Sequence, residues 1–163
     1  MPVFIDPTAQ VSPLADIEDS SRGTSFSLGA GSVIDSFVKV KPAGGFGNIS
    51  IGENTVINAG CILYSGNGIV IGNHVAIAAN CTFAPVNHEF LRRDVLIRDQ
   101  KFKPSKNGII IEDDVWIGAG CVLLDGAALR TGAVIGAMSL VRGEVPAYAI
   151  RAGNPLRHLG WRE

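Results

Sequence analysis

Few side chains in this chain are suited to moving a proton or attacking a carbonyl. There are three histidines, His74, His88 and His158, and three cysteines, Cys61, Cys81 and Cys121. An imidazole titrates near pH ~6.5, so a histidine held in a fixed place can accept a proton at neutral pH. A thiol attacks only as the thiolate, a form that an apolar interior disfavours. His88 lies in FAPVNHEFLRR, residues 83–93, where a regular apolar rhythm meets a charged segment. A histidine at such a junction can be a base, a ligand or a surface residue. The elements that position it decide between these roles.

Those elements repeat every six residues. Residues 51–68 divide as IGENTV INAGCI LYSGNG and residues 71–88 as IGNHVA IAANCT FAPVNH. Residues 111–128 read IEDDVW IGAGCV LLDGAA, and residues 129–146 read LRTGAV IGAMSL VRGEVP. Each six opens on Ile, Leu, Val or Phe, and its fifth slot is usually small or β-branched. Earlier blocks from Ile5 and Leu28 follow the pattern more loosely. A period of six suits neither an amphipathic helix nor a long alternating strand. It suits a short extended face followed by a turn. Gly and Asn in the intervening slots tolerate the dihedrals that a sharp turn requires. Three sixes close one triangular coil, and stacked coils pair strand on strand at about 4.8 Å. The expectation is an all-β parallel β-helix with coils starting at residues 5, 28, 51, 71, 111 and 129 and a partial one at 147. Its handedness does not follow from the spacing.

Bulk composition agrees. The chain is 47% apolar but only 7% aromatic, with 20 glycines among 163 residues. Aliphatic bulk of this kind suits many short strands around one core. A formal net charge of −1 gives no reason to expect nucleic acid. No signal-peptide pattern and no membrane-length apolar run is present, so a cytoplasmic protein without membrane insertion is expected. An odd number of cysteines favours free thiols. All three occupy the fifth slot of the middle six in their coils, which predicts an inward ladder of small core fillers.

The rhythm is broken by one long segment, residues 89–110, with six cationic side chains against three acidic ones. Long loops on compact scaffolds are usually functional. A basic tail, residues 147–163, is expected to cap the open end. The whole chain, 1–163, reads as one domain: coils over about 5–146, the extruded loop within them, then the cap.

These residues bear a resemblance. The coil IGNHVAIAANCTFAPVNH, the loop after it, the restart IIIEDDVWIGAGCVLLDGA, then VIGAMSLV and AGNPLR resemble the hexapeptide-repeat acyltransferases over about residues 51–157. The likeness is to the galactoside, maltose and xenobiotic acetyltransferase branch. The resemblance implies a left-handed parallel β-helix and a homotrimer with active sites between subunits. It implies acetyl-CoA as acyl donor, no metal, and a sugar or saccharide acceptor. His88 matches the family's general base. Asn58 matches an acceptor-binding Asn and Trp116 a Trp that lines the site from a neighbouring subunit. The loop that begins at Glu89 shapes the acceptor pocket. Backbone amides matching Ala119 and Ala137 hold the pantetheine arm, and Arg157 matches an arginine near the nucleotide. At VRGEVP the family lysine is replaced by Gly143, leaving Arg142 as the nearby cation.

The chemistry thus implied is direct acyl transfer. One proton leaves the acceptor as it attacks a thioester, and the rigid stack supplies orientation. The implied function is O-acetylation of a sugar or saccharide. The alternatives are N-acetylation of a nucleotide-linked amino sugar and a non-catalytic β-helix scaffold. A zinc enzyme on the same solenoid needs three convergent histidines. Only His74 and His88 fall on coils, and they occupy different slots.

Overall fold

The computed structural model describes residues 2–163. Nearly every element is a two- or three-residue strand, and the strands form three sheets. Sheet A runs from Val3–Ile5 to Glu144–Val145, sheet B from Gln10–Val11 to Arg157–Trp161, and sheet C from Asp16–Ile17 to Leu140–Val141. Successive strands visit A, B and C in turn, so each circuit is one coil of a left-handed parallel β-helix.

The first residue of each six points inward. In sheet A, Leu28, Ile51, Ile71, Ile111, Leu129 and Val145 stack in register. In sheet B the column is Ile34, Ile57, Ile77, Ile117 and Ile135. In sheet C it is Val40, Leu63, Phe83, Leu123 and Val141. All of these are buried. Each large aliphatic side chain so buried contributes roughly 1.5–3 kcal/mol, so stability comes from coil on coil. The cysteine ladder forms as expected. Cys61, Cys81 and Cys121 are buried, free, and donate their thiols to the carbonyls of Ala78, Gly118 and Gly136. Contact with Cys81, followed by burial, pushes the Cys121 thiol well above its ordinary range.

Sheet A strands end at residues 5, 28, 51, 71, 111 and 129, the expected coil starts. Two boundaries differ. The last sheet A strand ends at Val145 rather than 147, because the turn after Leu140–Val141 needs only two residues, Arg142 and Gly143. Pairing also resumes at Ile109, so the extruded loop closes at Gly108 rather than 110. The tail caps the stack: Arg157–Trp161 folds back antiparallel on Ala149–Ala152, covering the free edge of sheet B.

Candidate active site

The triangular section has three edges, where the chain turns from A to B, from B to C and from C to A. His88 follows the sheet C strand Thr82–Ala84 and therefore lies on the C–A edge. The extruded loop leaves there as a two-stranded ribbon. The amide of Glu89 donates to the Lys101 carbonyl at 3.0 Å, and the amide of Lys103 donates to the Asn87 carbonyl at 2.8 Å. His88 and Phe102 face each other across this antiparallel bridge. Further out, Gln100 ties the loop to itself through the Arg92 amide and the carbonyls of Arg92 and Val95. The returning arm is clamped by Asp125. Its carboxylate accepts from the amides of Lys106 and Gly108, both at 2.9 Å, and from Asn67 Nδ2 at 3.1 Å.

An open cleft of ≈ 310 Å³ lies at this root, lined by Ala43, Gly44, Tyr64, Ala84, Val86, His88 and Phe102. Its floor includes Ala43 and Gly44, from the glycine-rich turn between the strands Lys39–Lys41 and Ile49–Ile51. At Gly44, φ is +83° and an added Cβ would sit 2.8 Å from Val86 Cγ1, so a side chain there closes the floor. A second recess of ≈ 160 Å³ shares Val86 and is bordered by Asn87, Lys103, Lys106 and Arg142. An exposed imidazole beside a small apolar cleft can serve as a base toward an acceptor lying in it.

The other expected site residues divide between the edges. Asn58 follows the sheet B strand Val56–Ile57 and precedes the sheet C strand Ile62–Tyr64, so it lies on the B–C edge. Its Nδ2 donates to the Ile77 carbonyl at 2.7 Å. Ala119 and Ala137 occupy the same edge two and three coils later. Their amides donate to no acceptor among the described residues. Trp116 points outward from sheet B, half exposed, between Ala76 and Val134. Arg142 returns to the C–A edge. Arg157 opens the capping strand on sheet B and is exposed. Glu89 is engaged by its own loop. Its Oε1 accepts from the amides of Phe90 and Leu91, which with Lys103 hold the carboxyl below its ordinary range. His74 is exposed at a left-handed turn, and His158 packs on Trp161 in the cap.

Phe102, Tyr64, Gly44 and Asp125 do not stand out as site residues in the sequence. Tyr64 carries one signal, as the polar residue in an outward slot that holds Ala84 and Leu124 in later coils. Phe102 carries none, because the path of the loop is not periodic, and Asp125 carries none, because it falls in the third slot of a regular six, LLDGAA. No group of three potential metal ligands converges among the described residues. Among the same residues, no helix is long and apolar enough to cross a membrane.

Similarities to known proteins agree with this architecture. The family description "Bacterial transferase hexapeptide (six repeats)" matches residues 108–143. A galactoside O-acetyltransferase of Lactococcus lactis is 31% identical over 108 residues, 66% of this chain and 50% of the relative. The chain thus spans about half the length of that relative. An N-acyltransferase of Bacillus cereus, AntD, solved with dTDP and coenzyme A, superposes with a TM-score of 0.81 at 22% identity, covering 98% of this chain and 84% of its own. A hexapeptide-repeat acetyltransferase of Vibrio cholerae, solved with acetyl coenzyme A, gives 0.59 at 26% identity, covering 83% and 71%.

Proposed function

This chain belongs to the hexapeptide-repeat acyltransferase family, and from that premise we propose that it is an acetyl-CoA-dependent O-acetyltransferase of a sugar or saccharide. The observation that carries this reading is the His88 cleft at the root of the extruded loop. An acceptor hydroxyl in the cleft gives its proton to His88 as its oxygen attacks the thioester carbonyl. The tetrahedral intermediate collapses, the C–S bond breaks, and the departing thiolate takes the proton back from the imidazolium. No acyl-enzyme forms, and the buried cysteines take no part.

Acetyl-CoA fits the B–C edge. The free amides of Ala119 and Ala137 suit a pantetheine arm, with its carbonyl groups as acceptors, and Arg157, together with Arg142 from the C–A edge of an adjoining copy, suits the phosphates. Asn58 uses Nδ2 on Ile77, which leaves Oδ1 to accept from a neighbouring hydroxyl of the acceptor, not from the one that gives its proton to His88. His88 and Asn58 stand on different edges, so the reading requires a second subunit to bring them together. Sheet B offers a face for it, with Val33, Val56, Ala76, Trp116, Val134 and Ile150 in one outward column. We take the assembly to be a trimer with each site shared between neighbours.

A second reading is N-acetylation of a nucleotide-linked amino sugar. The recess bordered by Lys103, Lys106 and Arg142 beside the cleft favours it, since such a sugar carries phosphates. Incubation with acetyl-CoA and a panel of free and nucleotide-linked sugars, reading released thiol, tests both. Absence of thiol release with every sugar of both sets would overturn both transferase readings and favour the scaffold.

A further inference from the structure

We propose that Phe102, on the returning arm of the extruded loop, is the positioning residue for the His88 imidazole. The inference rests on the reading of His88 as base. Two backbone hydrogen bonds fix the root of the loop, Glu89 to Lys101 and Lys103 to Asn87, and together they set His88 and Phe102 directly opposite each other. Residues directly opposite across an antiparallel bridge send their side chains to the same face. Here the two ring centroids are 4.8 Å apart with planes at 50°. That spacing lies within the ~4.5–7 Å range of favourable tilted aromatic pairs.

No side-chain or backbone group among the described residues hydrogen-bonds either imidazole nitrogen of His88. The usual device, a carboxylate or carbonyl on the second nitrogen, is absent among them. The Phe102 ring is therefore what holds the plane of the imidazole and limits its rotation about χ2. It does so without consuming a nitrogen. The clamp extends outward, because Asp125 anchors the arm that carries Phe102 through the amides of Lys106 and Gly108. The loop that shapes the acceptor cleft thus also orients the base.

Phe102→Leu and Phe102→Tyr, made in the wild type and in a His88→Ala background, test this. Loss of the ring in Phe102→Leu is expected to lower kcat roughly 10- to 100-fold, the effect of a misplaced catalytic group. Acetyl-CoA affinity and thermal melting should be unchanged, and Phe102→Tyr should recover most of the loss. In the His88→Ala background, Phe102→Leu should cause no further loss of residual turnover. An equal loss in both backgrounds would show that Phe102 acts on the acceptor alone and would overturn the inference. Full activity in Phe102→Leu would do the same. Full activity in His88→Ala would instead remove the base reading itself, a distinct result.

Discussion

Asn58 and His88 stand on different edges of the same prism: Asn58 where sheet B turns into sheet C, His88 where sheet C turns into sheet A. The stack is rigid, so no local motion joins them within one chain. A neighbouring copy in a head-to-tail ring can present the B–C edge to this C–A edge. The prediction is complementation. His88→Ala and Asn58→Ala proteins, each inactive alone, should regain roughly a quarter of wild-type activity after dissociation and random reassembly. A mixture that stays inactive would place both residues in one chain's site, and an Asn58→Ala protein active by itself would remove Asn58 from the site.

His88→Ala should reduce kcat by about 10²- to 10⁴-fold, the usual contribution of a positioned base. Acetyl-CoA affinity by calorimetry should remain near wild type, since the free amides of Ala119 and Ala137 are on another edge. A large loss of affinity with preserved turnover would make His88 a binding group.

Ala84 lies on the wall of the cleft and pairs with Leu124 in the next coil. Ala84→Leu should fill acceptor space without strain, because the position is a regular strand facing outward. The acceptor KM should rise at least about tenfold while that for acetyl-CoA stays constant, given that ~1.4 kcal/mol of lost contact is one decade. Equal rises in both constants would show that the cleft is not specific to the acceptor.

At the A–B edge, the Glu112 carboxylate accepts from the Thr131 amide at 2.8 Å, from Arg130 at 3.0 Å and from the Thr131 hydroxyl at 3.0 Å. These donors, the Thr131 amide foremost, hold its carboxyl below the ordinary glutamate range. A depressed carboxyl favours the folded state above its unfolded value, and that contribution is lost as pH falls through the folded one. Melting temperature should therefore fall in mild acid, and Glu112→Gln should lower it at neutral pH while flattening the acid slope. An unchanged slope in the variant would assign the acid sensitivity to other carboxylates.

The outward column on sheet B predicts association. Trp116→Glu places a charge among Ala76, Val134 and their neighbours and should drive the assembly toward monomers in sedimentation, with activity lost in parallel. A stable, active monomer would contradict the shared site.

The six-residue spacing is enough to lay out the coils. A residue in slot one of a six points inward because three sixes close a triangle, which places Ile57, Ile77, Ile117 and Phe83, and the small fifth slot places the cysteine ladder. The rule also puts His88 at the end of a coil. It cannot place what lies opposite. Phe102 sits 14 residues after His88, in a segment with no period, and only the return of the loop brings the rings to 4.8 Å. Asp125 reads as an ordinary coil residue until three donors converge on it. The edge that a residue occupies is implicit in the count of sixes, yet the separation of Asn58 from His88 becomes visible only with the prism assembled. By itself the sequence determined the coil, its inward columns and the histidine at the loop root, because those are set by local periodicity. Tertiary structure decided the cleft, the clamp on the loop and the partner of the imidazole. Those depend on where a non-repeating chain crosses coils that are distant in sequence.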